Sequence, residues 1–356
     1  MKYYNLNKIL AKNAVYNVIF GERSNGKTYS VLKYGLEQYK KDKGQIAIVR
    51  RWGVDIQGRR ASSVFSAIND NGLVKKLFPD FDLVHYWAGK YYLALKDEKG
   101  KIIYNDNDCI GYTFALSEQE HNKSISYPNI KTIFFDEFIT NGLYLQDEFI
   151  AFMNTLSTII RDRNNVKIFM CGNTVNKYNP YFEEMGLKHA NKMEQGTIDF
   201  YKYGDTNLTV AVEYCATNAK NKKSNFYFAF ENPKLNMITR GNWELEIYPH
   251  LPMKYNKNDV LFTFFIIFDN SYFQCEIIDF KGNIGMYIHN KTTPIRNDDD
   301  LVLTVDYNYK MCYNNLGGGK VIGKILALFK LNKVTYQNND VGNTISNFLK
   351  VVKHGI

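Results

Sequence analysis

A chain of 356 residues, 45% hydrophobic and 23% charged, has a globular composition with room for two domains, which excludes a disordered chain. Its longest apolar run, Val260–Phe268, is too short to span a bilayer, and five cysteines without a C-x-x-C pair exclude a disulfide framework or a zinc site. Lys and Arg number 45 against 36 Asp and Glu, a surplus of nine that favours a polyanionic partner.

The N-terminal MKYYNLNKILAKN has no apolar core of signal-peptide length, so the expected location is a reducing cytoplasm rather than outside the cell. Val15–Phe20 is rich in β-formers and reads as a buried strand. Gly21 follows, then Glu22, Arg23, Ser24 and Asn25, then Gly26-Lys27-Thr28. This is the G-x-x-x-x-G-K-[ST] spacing of a P-loop, and the helical TYSVLKYGLEQYKK after it completes the strand–loop–helix context. The glycines allow the loop N–H groups to turn inward on phosphate oxygens at a helix N-terminus. Lys27 is expected to reach the β- and γ-phosphates of ATP, and Thr28 to hold Mg²⁺.

Gln45–Val49 reads as a second buried strand, followed by Arg50-Arg51-Trp52. Two arginines past a strand's C-terminal end lie where α/β sheets bind ligands, which makes them candidates for phosphate or DNA contact; a solvated turn is the alternative. Residues 61–78 are expected to form one helix stopped by Pro79, and 82–116 a β-meander inserted before the next core strand. Thr132–Phe135 is an apolar run ending in Asp136-Glu137. In a P-loop protein Asp136 can hold the Mg²⁺ shell opposite Thr28, and Glu137 can orient and deprotonate the attacking water.

Residues 146–163 carry an amphipathic pattern ending in Arg161-Asp162-Arg163. Arg161 is either a finger aimed at a neighbouring subunit's ATP or a cation favoured by the helix dipole. After the next strand, Val166–Met170, Asn173 is a candidate γ-phosphate sensor, with a turn asparagine as the alternative.

The ordered set GERSNGKT, IVRRW, EHNKSISYPN, TIFFDEF, IIRDRNNV and CGNTVNKYNPYF resembles the genome-packaging ATPases of phi-29-like podophages over about residues 1–200. These belong to the additional-strand, catalytic-glutamate division of P-loop proteins. The resemblance implies a homopentameric ring on the portal of an empty capsid, in the host cytoplasm, driving double-stranded DNA inward with ATP. It places Gly21–Thr28 as the Walker A loop with a basic Arg23, and Asp136 and Glu137 as the Walker B pair. Arg161 falls on the trans-acting finger, and Lys123 on a second basic residue reaching the neighbouring site. The loop at 140–145 lacks Lys and Arg, so a DNA grip there falls to backbone N–H groups, Asn141 or Tyr144. A packaging RNA is a further implied partner, and a membrane is not.

Residues 193–223 contain two strand-like pieces and a basic stretch, read as a linker. Residues 259–279 form a strong hairpin pattern with Asp269-Asn270 at its turn, followed by strands at 284–289 and 301–306 and helices at 323–329 and 344–353. The expected fold is therefore α/β: a P-loop NTPase core over 1–205, with a parallel-rich sheet and helices on both faces. A linker subdomain over 206–235 and a small α+β domain over 236–356 complete it. The resemblance makes that last domain RNase H-like, a relic of a terminase nuclease. Asp269, Asp279 and Asp306 are its candidate metal carboxylates, although no acidic spacing compels a metal site. The competing functions are a helicase or other DNA-transport ATPase, and a structural ring that binds ATP without turnover.

Overall fold

The computed structural model describes residues 4–122, 125–142, 144–145, 147–176, 179–216, 248–251, 254–280, 282–293, 295, 300–305, 312–313 and 319–353. The chain divides into two units, Met1–Trp243 and Glu244–Ile356.

The first unit is built on a nine-stranded sheet of order β3-β4-β5-β2-β6-β7-β1-β9-β8. Its central strands are β1 (Tyr16–Gly21), β2 (Gln45–Arg50), β6 (Ile130–Asp136) and β7 (Lys167–Asn173), with β5 (Ile102–Ala115) and β9 (Thr209–Tyr214) flanking them, all paired in parallel. They read as continuous apolar runs because both faces are covered. Val18, Phe20, Ile133 and Phe135 face a core closed by α6 (Glu148–Ile160) and α7 (Pro180–Glu184). Ile19, Phe134 and Phe169 face a second core, closed by α2 (Lys27–Asp42) with Phe65 and Ile68. Strand β7 lies between β1, which leads into the P-loop, and β6, which ends in the paired acids. That intervening strand is the additional strand expected of the division.

Three expectations are corrected here. Residues 61–78 are not one helix but three short ones, α3 (Gly58–Ser63), α4 (Ser66–Asp70) and α5 (Leu73–Leu77); Phe65 leaves helical geometry before α4, and Gly72 turns the chain at φ 62° before α5. The meander of β3 (Leu83–Trp87), β4 (Lys90–Lys96) and β5 is no separate insertion: β5 pairs antiparallel with β4 and then parallel with β2. Finally, β9, assigned to a linker from sequence, pairs with β1 in register Tyr16↔Val210 through Phe20↔Tyr214, and β8 (Ile198–Lys202) pairs antiparallel with β9. The sheet therefore extends past residue 205, up to Tyr214.

The second unit carries a six-stranded sheet of order β14-β13-β10-β11-β12-β15. The hairpin of β10 (Val260–Phe268) and β11 (Ser271–Phe280) turns on Asp269 and Asn270, both with positive φ, as a two-residue type I′ loop requires. Strand β12 (Asn283–Asn290) continues antiparallel, while β13 (Val302–Thr304) runs parallel to β10 and β14 (Cys312–Tyr313) parallel to β13. The C-terminal sheet domain is therefore built of three antiparallel strands with two parallel ones on the β10 side. Strand β15 (Val334–Tyr336) adds a parallel edge beside β12. Helices α8 (Gly319–Lys330) and α9 (Asn339–Lys353) bracket it; α9 buries Val341, Ile345, Phe348 and Val352 along one stripe.

Of the candidate nuclease carboxylates, the two described ones do not come together. Asp269 sits in the β10–β11 turn and Asp279 near the far end of β11, so a strand's length of about 30 Å separates them. Asp306 lies outside the described residues. Among the described residues, no group of three His, Cys, Asp or Glu is placed to hold a metal ion. Purified protein incubated with DNA and Mg²⁺ or Mn²⁺ should leave the substrate uncut; cleavage abolished by Asp269→Ala would return a nuclease to this unit.

Candidate active site

Strand β1 delivers the chain to Gly21 at the C-terminal edge of the sheet, where α/β folds bind ligands. The loop ends at Gly26, whose φ of 97° is left-handed backbone that favours glycine, and α2 starts at Lys27. The 16-residue α2 thus points its N-terminus, with its unpaired N–H groups, into the loop. Glu22 is half-buried, Arg23 and Ser24 are exposed at the loop tip, and Asn25 is buried. The Asn25 side chain accepts from the Lys27 N–H at 3.3 Å, and its carbonyl accepts from the Tyr4 N–H at 3.0 Å.

Lys27 is 6% exposed. Its ammonium donates to the carbonyls of Gly21 (3.4 Å) and Glu22 (2.6 Å) and to Asn173 Oδ1 (3.3 Å). Burial pulls its pKa below the usual lysine value. The cation is thus held by two loop carbonyls and, from the end of β7, by the Asn173 amide oxygen. Asn173, at the end of β7, is brought into the same site, as its candidacy requires.

The Thr28 hydroxyl donates to Asp136 Oδ1 at 3.2 Å. A hydroxyl and a carboxylate converging beside the P-loop form a hard-oxygen pair that suits Mg²⁺. Burial pushes the Asp136 carboxyl above the ordinary range, and the Arg50 guanidinium opposes that shift. Arg50 spans both acids, with Nη2 at 2.7 Å from Asp136 and Nη1 at 2.7 Å from Glu137. Glu137 takes a left-handed φ of 60° and leaves the strand with its side chain 67% exposed. A cleft of about 790 Å³ joins this chemistry to a second wall that includes Tyr4, Asn5, Tyr29, Ile68 and Asn71. That wall was invisible in the sequence, because α4 and the residues before β1 meet only in the fold.

The two arginines at the end of β2 differ in role. Arg50 is committed to the acids. Arg51 is buried and makes a two-pronged bond to Glu148, Nε to Oε2 at 2.6 Å and Nη2 to Oε1 at 2.8 Å. It also donates to the carbonyls of Glu137 and Phe138. Glu148 further accepts from Tyr181 Oη (2.7 Å) and the Leu145 N–H (2.8 Å). Expected from sequence as a candidate DNA contact, Arg51 is instead buried, 6% exposed, with its charge paired to Glu148. Tyr144 belongs to the same node, its ring 4.8 Å from the Arg51 guanidinium and its hydroxyl accepting from the Thr140 N–H. Sequence reasoning missed Glu148 because its partner is 97 residues distant. Removing one member of a buried ion pair strands the other, so Glu148→Ala should cost about 3–5 kcal/mol of stability in a denaturant titration. A loss below about 1 kcal/mol, the range of exposed pairs, would show that the pair is not buried in solution.

Of the remaining candidates, Asn141 is exposed on the loop after β6. Arg161 is exposed just past α6, with Nη2 donating to the Ile125 carbonyl at 3.2 Å, and is not among the residues that line the P-loop cleft. Lys123 lies outside the described residues.

The profile of the podovirus DNA encapsidation protein (Gp16) family matches residues 1–350. The chain belongs to this family. The encapsidation-family chain is 32% identical over 183 residues to the DNA packaging protein of Bacillus phage PZA, and equally to that of Bacillus phage phi29. Each match covers 51% of this chain and 49% of the relative, so the chain spans about half the length of the curated relatives it matches. In fold, it follows the solved bacteriophage Phi-29 viral genome packaging motor assembly with a TM-score of 0.59 at 21% identity, covering 99% of each chain. The Phi-28 gp11 DNA packaging motor is similar over 99% of this chain and 98% of its own, with a TM-score of 0.56 at 20% identity. Among the described residues, no helix of this encapsidation-family chain is long and apolar enough to cross a membrane.

Proposed function

We propose that this protein is an ATP-hydrolysing motor that moves double-stranded viral DNA into a preformed capsid. The observation that carries the reading is the convergence of Lys27, Thr28, Asp136, Glu137 and Asn173 at one end of the parallel sheet. Membership of the encapsidation family supplies the cargo. The motor works as a homo-oligomeric ring, a pentamer by the family resemblance, with catalytic sites between subunits. It acts in the host cytoplasm, docked on the capsid portal, with packaging RNA as a further partner of its C-terminal unit.

In this mechanism the loop N–H groups and the N-terminus of α2 bind the phosphates of ATP. Lys27 leaves its carbonyl partners for the β- and γ-phosphate oxygens and neutralises charge that grows during transfer. Thr28 and Asp136 are the residues that would hold Mg²⁺, which when bound neutralises phosphate charge. Glu137 is free enough in solvent to orient a water and take its proton. Asn173 holds Lys27 at rest and is the residue that would sense the γ-phosphate. A nucleotide-gated ring without turnover has no use for a second acid beside Asp136.

Lys27→Ala should reduce ATP turnover to background while the chain stays folded, and should abolish DNA uptake by matching empty capsids. Lys27 is buried among polar oxygens rather than apolar neighbours, so the fold has little to lose. Wild-type turnover in a folded Lys27→Ala protein would remove the centre of this reading.

A further inference from the structure

Arg163 lies three residues beyond the last residue of α6, and its guanidinium spends all five N–H donors on backbone carbonyls. Nε donates to Ile160 (3.2 Å) and Nη2 to Ile159, both in the last turn of α6. Nη2 also donates to Tyr127 (3.0 Å), and Nη1 donates to Pro128 (2.8 Å) and to Ile130, on the run leading into β6. The carbonyls at the end of a helix have no partner within it, and here one side chain takes two of them and bonds them to a separate stretch of chain.

Arg161 sits between these anchors. Its backbone takes φ 52° and ψ −126°, outside the usual regions for a residue with a side chain. Such backbone costs roughly 1–3 kcal/mol and persists only where its surroundings impose it. The Arg161 side chain then leans on the Ile125 carbonyl, two residues before the stretch that Arg163 pins. A lysine cannot reproduce this arrangement, because three tetrahedral donors do not match five planar ones.

We propose that Arg163 is the positioning residue for Arg161: by fastening residues 127–130 to the end of α6, it holds the Arg161 backbone and the run it leans on in one geometry. This rests on the reading of Arg161 as the cation lent to a neighbouring site. Arg163 touches no nucleotide and acts only through Arg161.

The test is a double-mutant cycle in DNA-loaded rings, with Arg161→Ala, Arg163→Gln and the two combined, and Arg163→Lys as the charge-preserving variant. Arg163→Gln should lower kcat on the order of 10²-fold, the usual penalty for misplacing a catalytic group by an ångström. KM for ATP, and ATP affinity of the unassembled subunit, should stay at wild-type values, because the subunit's own P-loop is untouched. Arg163→Lys should fall in the same direction by less. The combined variant should be no slower than Arg161→Ala alone, since Arg163 has nothing left to position. Multiplying losses, a fall in the subunit's own ATP affinity, or wild-type kcat in a folded Arg163→Gln protein would each overturn the proposal. Global unfolding of both Arg163 variants would make the residue a stability element and overturn it equally. If Arg161→Ala itself keeps full turnover, the reading of Arg161 fails and takes this proposal with it; a slow Arg161→Ala beside a normal Arg163→Gln removes this proposal alone.

Discussion

Arg161→Ala should lower ATP turnover of assembled, DNA-loaded rings on the order of 10³- to 10⁵-fold, the range of arginine fingers that neutralise charge in phosphoryl transfer. Its side chain is exposed and does no work in either core, so the variant should fold and bind nucleotide normally. Because Arg161 is not among the residues that line its own P-loop cleft, the loss should be repaired by a neighbour. Rings mixed from Arg161→Ala and Glu137→Gln subunits should regain turnover, since an intact Walker set in the first can face an intact arginine in the second. ATPase activity of each variant alone and of verified mixed rings decides it. A mixture as dead as its parents places the arginine in cis, and full activity of Arg161→Ala alone returns it to a helix-terminal cation.

Glu137→Gln should bind Mg-ATP with wild-type affinity and hydrolyse it roughly 10² to 10⁴ times more slowly. Affinity survives because Lys27 is held by two loop carbonyls and Asn173, and Thr28 by Asp136, without help from Glu137. Stability survives because the Arg50–Glu137 pair is open to solvent on its acidic side, and such pairs contribute about 0–1 kcal/mol. Single-turnover hydrolysis and nucleotide titration on one preparation separate the two effects. Normal hydrolysis would move the base to another residue, and lost binding would mean that Glu137 shapes the site rather than the chemistry.

The parts that sequence made legible are those whose physics is local. The P-loop needs its glycines at fixed spacing within eight residues, the buried parallel strands are apolar throughout, and the Asp269-Asn270 turn announces its own backbone. Helix α6 is readable for the same reason, from Phe149 to Ile160 on one face. Relations between distant residues were not legible. Arg50 and Arg51 are adjacent and chemically identical, yet one meets the paired acids and the other a glutamate brought in by α6. Strand β9 has the composition of many edge strands, and only pairing with β1, nearly two hundred residues earlier, makes it part of the sheet. Gly72 was visible, but a glycine inside a helical pattern is often tolerated, so the break between α4 and α5 was overlooked.

The buried node of Arg51, Glu148 and Tyr181 has a mechanical consequence. Glu148 is the first residue of α6, a rod of 13 residues and about 20 Å, and the same node grips the carbonyls of Glu137 and Phe138. One end of the rod is therefore fastened behind the subunit's own acidic turn, and the other carries Arg161. In the proposed ring, one helix therefore joins the turn that carries Glu137 to the arginine offered to the next subunit.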